Sequence, residues 1–395
     1  MHELIADCVH CGFCLPTCPT YVLWGQEMDS PRGRINLMAQ RLEGEPLSPS
    51  MVKHFDQCLG CMACVTACPS GVKYDELITR TRADIPARGL LFHLFPYPRR
   101  LRLLRWPIRA YQAVTRGRRL FARWPKLGTL ESLMPKLAKP APAAQVHGAR
   151  RATVGMLTGC VQSAFFPHVN AATERVLAAE GCEVLPFPKQ GCCGALSVHN
   201  GRTAEAQRFA RKLIDAIDLE RIEYFVVNAA GCGSALKEYG ALLAEDPAYA
   251  AKARALAGKV RDLSEVLVEL GPVAPRKPRP ETVVYHDACH LAHAQGVRAQ
   301  PRVLLNRIPG LDVREIAEAE ICCGSAGVWN IQHPEPAREL GERKARAILA
   351  TGATTVVTSN PGCIMQITAA LDRLGATVSV VHTAELLDST ISARE

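Results

Sequence analysis

Eight cysteines near the start of the chain are spaced for metal chemistry. Cys8, Cys11, Cys14 and Cys18, followed by Pro19, and Cys58, Cys61, Cys64 and Cys68, followed by Pro69, form two CxxCxxCxxxCP runs. Three thiolates at successive three-residue steps wrap one cubane, and a fourth reaches it from elsewhere. In two-cluster ferredoxins the last cysteine of each run serves the other cluster. The expected ligand sets are therefore Cys8, Cys11, Cys14 and Cys68 for one 4Fe-4S cluster, and Cys58, Cys61, Cys64 and Cys18 for the other. Zinc also accepts four thiolates, but zinc ribbons use paired CxxC knuckles rather than this spacing. Two such clusters make a one-electron relay whose potentials follow burial, charge and hydrogen bonds to sulfur. Arg32 and Arg34 are candidates to tune one cluster; the alternative places them on a solvated helix face.

The second half of the chain carries another eight cysteines in a repeat. Cys160 precedes Cys192-Cys193-Gly194 by 32 positions, Cys289 precedes Cys322-Cys323-Gly324 by 33, and Cys232 and Cys363 close the two copies. A shift this regular marks duplicated units. Adjacent cysteines rarely bond each other, because the short ring strains disulfide geometry. Each copy can instead offer four thiols to an iron-sulfur or other metal centre. Redox-active thiols and structural cysteines stay open as alternatives. Cys182 has no counterpart and reads as core. His286, His290 and His293 surround Cys289, where a helix would bring them near one face; ligation, proton transfer and simple backbone hydrogen bonding all remain open for them.

The elements that must hold these residues are legible in outline. Residues 1–87 read as a helical two-cluster module, with helices at Arg34–Glu43, entered through Asp29-Ser30-Pro31, and at Asp75–Asp84. Residues 88–150 read as a basic connector. Between Arg88 and Lys126 stand eleven Lys or Arg and no Asp or Glu, interleaved with Leu, Phe, Trp and Tyr. Such a segment suits an anionic lipid surface or docking on its own domain or a partner subunit. A flexible boundary is expected at Lys139–Ala144. Residues 151–275 and 276–395 are the two repeats. In each, a strand (Val154–Leu157; Val283–Tyr285) runs into the first cysteine, and a helix (Thr203–Ile217; Pro336–Leu349) follows the double cysteine. A further strand (Phe225–Val227; Thr355–Thr358) leads to the last cysteine. Alternating strand and helix predicts α/β units with parallel sheets, the cysteines at the carboxyl ends of strands. The fold class expected is thus α+β multidomain.

Composition is that of a globular chain, 48% apolar and 22% charged, with length for more than one domain. No apolar run is long enough to cross a bilayer, and no leader-like stretch precedes Cys8. A cytoplasmic location is expected, with the connector a site of peripheral contact at the inner face of the cytoplasmic membrane. Seventeen cysteines in a reducing compartment point to metal rather than disulfides. Neither a GxGxxG fingerprint, a P-loop nor a GxSxG elbow is present, so no flavin or NAD site is expected here. Nothing points to nucleic acid.

With these motifs the sequence resembles the family of glycolate oxidase (glycolate dehydrogenase) iron-sulfur subunits. The resemblance spans nearly the whole chain and rests on the run from Cys8 to Tyr21, Ser30–Ile35, Ala67–Val72, Gly191–Gly194, Lys237–Gly240 and Cys322–Gly327. The repeats are similar to the cysteine-rich CCG domains shared with heterodisulfide reductase, lactate-utilisation proteins and an anaerobic glycerol-3-phosphate dehydrogenase subunit. The resemblance implies an electron-transfer subunit. Flavin-binding partner subunits would oxidise glycolate or D-lactate to glyoxylate or pyruvate, and a quinone or other acceptor would take the electrons. A CCG-type catalytic reductase, or the relay of a lactate or glycerol-3-phosphate dehydrogenase, is the alternative. CCG domains that hold a cluster on five cysteines end in CxxC. Here Ala229 and Asn360 stand where the first cysteine of that pair would be.

Overall fold

The computed structural model describes residues 1–85, 89–116, 119–121, 124–135, 137–138 and 149–392; the expected boundary at Lys139–Ala144 lies outside them. The N-terminal module is helical. Its helix Pro31–Leu42 starts three residues before the expected Arg34, because Ser30 Oγ accepts the Gly33 N–H at 3.0 Å and Pro31 fits the first turn. Ile35, Leu37 and Met38 from this helix meet Met51 and Phe55 of Pro49–Gln57 and Leu77 and Ile78 of Tyr74–Ala83 in one buried cluster. Burying each such side chain contributes about 1.5–3 kcal/mol. Gly33 is required by close approach, since a Cβ there would stand 1.9 Å from the Glu27 carbonyl oxygen.

The remainder forms two four-stranded sheets. The first holds β1 (Ala152–Met156), β2 (Cys182–Leu185), β3 (Tyr224–Val227) and β4 (Val260–Asp262) in the order β2-β1-β3-β4. The second holds β5 (Glu281–Tyr285), β6 (Leu311–Arg314), β7 (Thr355–Thr358) and β8 (Ser379–His382) in the order β6-β5-β7-β8. All six pairings are parallel, and the registers correspond: Val154 faces Tyr224 in one copy, and Val283 faces Thr355 in the other. The central strands β3 and β7 are β-branched or aromatic and buried on both faces, as parallel strands between helical layers must be. The helices after the double cysteines run Thr203–Ile214 and Pro334–Leu349. Every repeat cysteine except Cys182 follows the carboxyl end of a strand. Cys182 opens β2 and is fully buried in the core.

The copies pack on each other through a shared apolar cluster. Polar ties reinforce it: Arg175 pairs with Asp388 at 2.5 Å, and buried Arg276 with buried Glu180 at 2.6 Å. His382 Nδ1 accepts from the Ala384 N–H, so its Nε2–H donates to the Asn228 carbonyl across the copies, at 2.7 Å. The basic connector contains a helix, Pro98–Thr115, that continues through Pro107. Its Leu101, Leu104 and Ile108 join the shared cluster. Its other side leaves Leu103, Trp106 and Val114 exposed.

Candidate metal centres

The N-terminal thiols gather in two neighbouring hollows. Cys8, Cys11, Cys14 and Cys68 line one, of about 420 Å³ of empty space, and Cys18, Cys58, Cys61 and Cys64 line the other, of about 310 Å³. The second hollow takes three thiols from the second run and Cys18 from the first; the first takes three from the first run and Cys68, with Cys64 beside it, from the second. Cys64 borders both, so the two share a wall. The loops match residue for residue: His10 and Gly12 in the first run, Gly60 and Met62 in the second, have φ between +53° and +86°. This left-handed winding turns backbone N–H groups toward sulfur, and the Gly60 N–H donates to Cys58 Sγ at 3.4 Å.

Charge is arranged around the second hollow. Arg34 is 1% exposed; its Nη1 donates to the Asp29 carbonyl at 2.6 Å, Nε to the His54 carbonyl at 2.7 Å, and Nη2 to Thr20 Oγ1 at 3.1 Å. Arg82 donates to the carbonyls of His199, Phe55 and Cys58. Burial opposes ionisation of Cys58, but Arg34, Arg82, the Gly60 N–H and the Tyr74 hydroxyl together hold its thiol below the ordinary range. Cys61 and Cys64 are pushed well above it by burial. Two sets of thiols with no carboxylate among the lining residues, the second set buried and the first half-buried with Cys11 exposed, fit iron-sulfur clusters, whose positive irons stabilise thiolates that burial would keep protonated. Arg32 pairs with Glu27 at 2.6 Å and donates from Nη1 to the His10 carbonyl at 2.9 Å, steadying the first loop. The solvated-face alternative does not hold for Arg34.

The repeat cysteines form two equivalent chains of contact. Cys192 hydrogen-bonds both Cys160 and Cys193, and Cys193 bonds Cys232; in the second copy the same chain runs Cys289, Cys322, Cys323, Cys363. Hydrogen bonds from Cys192 and Cys232 hold Cys193 well below the ordinary thiol range, while Cys160 and then Cys193, with burial, raise Cys192, and Cys193, with burial, raises Cys232. Ala229 and Asn360 both stand at the N-terminal cap of the closing helix, and Asn360 Nδ2 donates to Cys363 Sγ at 3.4 Å. In the second set, ligand atoms of His286, Cys323 and Cys363 lie within 4.8 Å of one another.

The three histidines do not share a face. The chain after Cys289 makes a π-helical turn, His290–Ala294, rather than a regular helix. His286 Nδ1 lies 3.0 Å from Thr358 Oγ1; His290 stacks on His199 of the first copy with ring centroids 4.7 Å apart; His293 reaches Thr66 and Arg298. The second set also abuts the N-terminal module: Leu59, Cys61 and Ala63 share a buried cluster with Cys322, Trp329 and Leu340, and Cys289 packs against it.

Family models match in the same order along the chain: a 4Fe-4S dicluster domain over residues 4–72, a linker region of the glycolate oxidase iron-sulfur subunit over 86–139, and a cysteine-rich domain over 154–237 and again over 283–368. The probable glycolate oxidase iron-sulfur subunit of Bacillus subtilis is 36% identical over 97% of this chain and 93% of its own length. The glycolate oxidase iron-sulfur subunit of Escherichia coli is 35% identical over 98% and 95%. The chain belongs to the glycolate oxidase iron-sulfur subunit family. Lactate utilization protein A of an Exiguobacterium is 30% identical over 60% of this chain and 96% of its own length. A crystal structure of a hypothetical protein from Helicobacter pylori covers 92% of this chain and 68% of its own with a TM-score of 0.53 at 8% identity, a likeness of fold alone. As a glycolate oxidase-type iron-sulfur subunit, the chain combines a ferredoxin-type module with two cysteine-rich α/β repeats.

Several residues that shape these centres carry no motif. Arg82 and Tyr74 lie on a helix beyond the second run, and only the fold carries them back to Cys58. Thr20, whose hydroxyl lies 3.3 Å from Cys18 Sγ, follows the Cys-Pro step closely enough to have been noticed.

Proposed function

We propose that the chain is the electron-transfer subunit of a 2-hydroxy-acid dehydrogenase complex, holding two 4Fe-4S clusters on Cys8, Cys11, Cys14 and Cys68 and on Cys58, Cys61, Cys64 and Cys18. The observation that carries this is the exchange of the fourth thiol between two hollows that share a wall. When bound, the clusters would supply one-electron carriers. The chain's own residues set their surroundings: Arg34 and Arg82 place positive charge beside Cys58, and the left-handed loops direct N–H groups at sulfur. Flavin-bearing partner subunits would oxidise glycolate or a similar 2-hydroxy acid, and this chain alone would not act on it. Co-purification with a flavoprotein and glycolate-dependent dye reduction, lost on Cys61→Ser, test the reading. Retained dye reduction without this chain would overturn it.

A second reading makes the repeats catalytic in disulfide reduction. The observation favouring it is the thiol chain from Cys289 to Cys363 packed against Cys61. Reduction of a heterodisulfide by the isolated chain would support it.

The connector fits peripheral contact with an anionic membrane. On the helix Pro98–Thr115, Leu103, Trp106, Pro107, Ala110 and Val114 fall on one outward side, with Arg99 at its N-terminal end, and Arg100, Arg102 and Arg109 flank that side. Trp106 is 78% exposed. An apolar stripe bordered by arginines matches the boundary between acyl chains and acidic headgroups. No helix among the described residues is long and apolar enough to cross a membrane.

A further inference from the structure

The two cysteine runs correspond position for position, Cys8 to Cys58 through Cys18 to Cys68, so Val9, Cys11 and Phe13 of the first loop stand where Leu59, Cys61 and Ala63 stand in the second. Both loops take the same left-handed winding, yet their outer faces differ. Leu59 and Ala63 are 7% and 1% exposed, because Ile321, Trp329 and Leu340 of the second repeat pack on that loop. Val9 and Phe13 are 67% and 64% exposed. The thiols divide in the same way: Cys11 is exposed and Cys8, Cys14 and Cys68 are half-buried, whereas Cys18, Cys58, Cys61 and Cys64 are buried. The chain thus covers one loop with its own domain and leaves the equivalent apolar pair of the other in water, on either side of an exposed ligand thiol.

Charge and redox chemistry narrow what covers that pair. Binding to acidic lipid draws on basic side chains, but residues 1–17 include Glu3 and Asp7 and no Lys or Arg. Arg32, which reaches the loop at the His10 carbonyl, is already paired with Glu27. A second copy of this chain would exchange electrons between identical carriers, with no driving force. A protein carrying a different redox group suits the loop better. An aromatic and an aliphatic side chain at the centre, with exposed His10 and Asp7 beside them, match the apolar centre and polar rim of a protein interface. The exposed Cys11 is where such a partner comes nearest to the first cluster.

We propose that the loop Val9–Phe13 is where the flavin-bearing subunit docks, and that electrons enter the chain at the first cluster beside Cys11. The proposal rests on the electron-relay reading above and adds to it the entry surface and the order of the two clusters. The balance closes within it: a reduced flavin gives up two electrons one at a time and releases two protons to solvent. The first cluster takes each electron, the earlier one moving on to the second cluster, so each cluster ends reduced by one electron.

The test uses the full chain, purified anaerobically with its iron content measured on the same sample, and the purified flavoprotein subunits as the probe. Wild type should bind them in calorimetry, and hydrogen exchange in residues 1–17 should slow on binding. Phe13→Glu should weaken binding by more than about tenfold. It should also slow glycolate-driven reduction of the clusters at limiting flavoprotein, with iron content and reduction by dithionite as in wild type. Trp106→Ser, on the connector helix, should bind as wild type does. Iron-replete wild type that binds the flavoprotein without slowed exchange in residues 1–17, or binding weakened by Trp106→Ser and not by Phe13→Glu, overturns the docking surface and leaves the relay standing. A dimer of this chain that Phe13→Glu dissolves overturns it as well. If Phe13→Glu loses iron, the exchange measurement on wild type decides. Wild type that carries no iron, or that does not bind the flavoprotein, counts against the relay itself.

Discussion

Cys61 of the N-terminal module and Cys289 of the second repeat border the same buried cluster, although 228 positions separate them in sequence. Burial and the proximity of Cys289 both raise the Cys61 thiol well above its ordinary range, so the pair is tolerated only if one of the sulfurs is protonated or bound to metal. Cys61→Ser should remove one cluster and leave the other. Iron should fall from about eight to about four atoms per chain, with one EPR signal retained. Loss of both signals would show that the two hollows do not fill independently.

Arg34 links the folding of the module to its electrostatics. Arg34→Met leaves the carbonyls of Asp29 and His54 without their donor in a buried site, at a cost of about 3 kcal/mol or more. It also removes a cation beside Cys58 and Cys18, which should make the potential of the second cluster more negative, because the reduced form carries the extra negative charge. Arg34→Lys should restore part of the potential but less of the stability, as an ammonium cannot span three acceptors held in a fork. Thermal unfolding and a redox titration followed by EPR separate the two effects.

The connector helix yields a binding prediction. Replacing Arg102 and Arg109 together by Gln should weaken binding to phosphatidylserine-containing vesicles about thirtyfold at low salt, at roughly 1 kcal/mol per charge. Trp106→Ser should weaken it with little change in salt dependence. Vesicle sedimentation measures both. Binding of wild type to the flavoprotein but not to vesicles would assign this helix to the subunit interface instead.

His382 gives a pH dependence. Burial holds its pKa down at about 4, below the ordinary 6.5, and its neutral ring joins the two repeats through Asn228. The fold binds the neutral form, so this contribution is complete above pH 6.5 and is lost as pH falls from there toward 4. The stake is about 3 kcal/mol. His382→Asn keeps a capping acceptor for the Ala384 N–H but cannot reach Asn228 in the same way. Its stability, measured by urea unfolding between pH 7 and 4.5, should fall less steeply than that of wild type.

Much of this architecture was legible because it is written in local spacing. The cysteine runs, the duplicated pattern and the strands Phe225–Val227 and Thr355–Thr358 depend on neighbours a few residues apart, and the sheets formed where apolar runs met helical periodicity. The short edge strands β4, β6 and β8 are not legible, because three or four residues carry no period. Nor is the helix Pro98–Thr115, because Pro107 and repeated arginines mask it, and its stability comes from packing of Leu101, Leu104 and Ile108 on another domain. The expected grouping of His286, His290 and His293 failed because a π-helical turn sends each ring to a different partner. The meeting of Cys61 with Cys289, and of Arg82 with Cys58, is long-range and has no trace in spacing.

The central claim is tested most directly by iron, acid-labile sulfide and zinc analysis of the anaerobically purified chain, with low-temperature EPR after reduction. The account predicts about eight irons with matching sulfide and two interacting paramagnetic centres. Zinc without sulfide would contradict it.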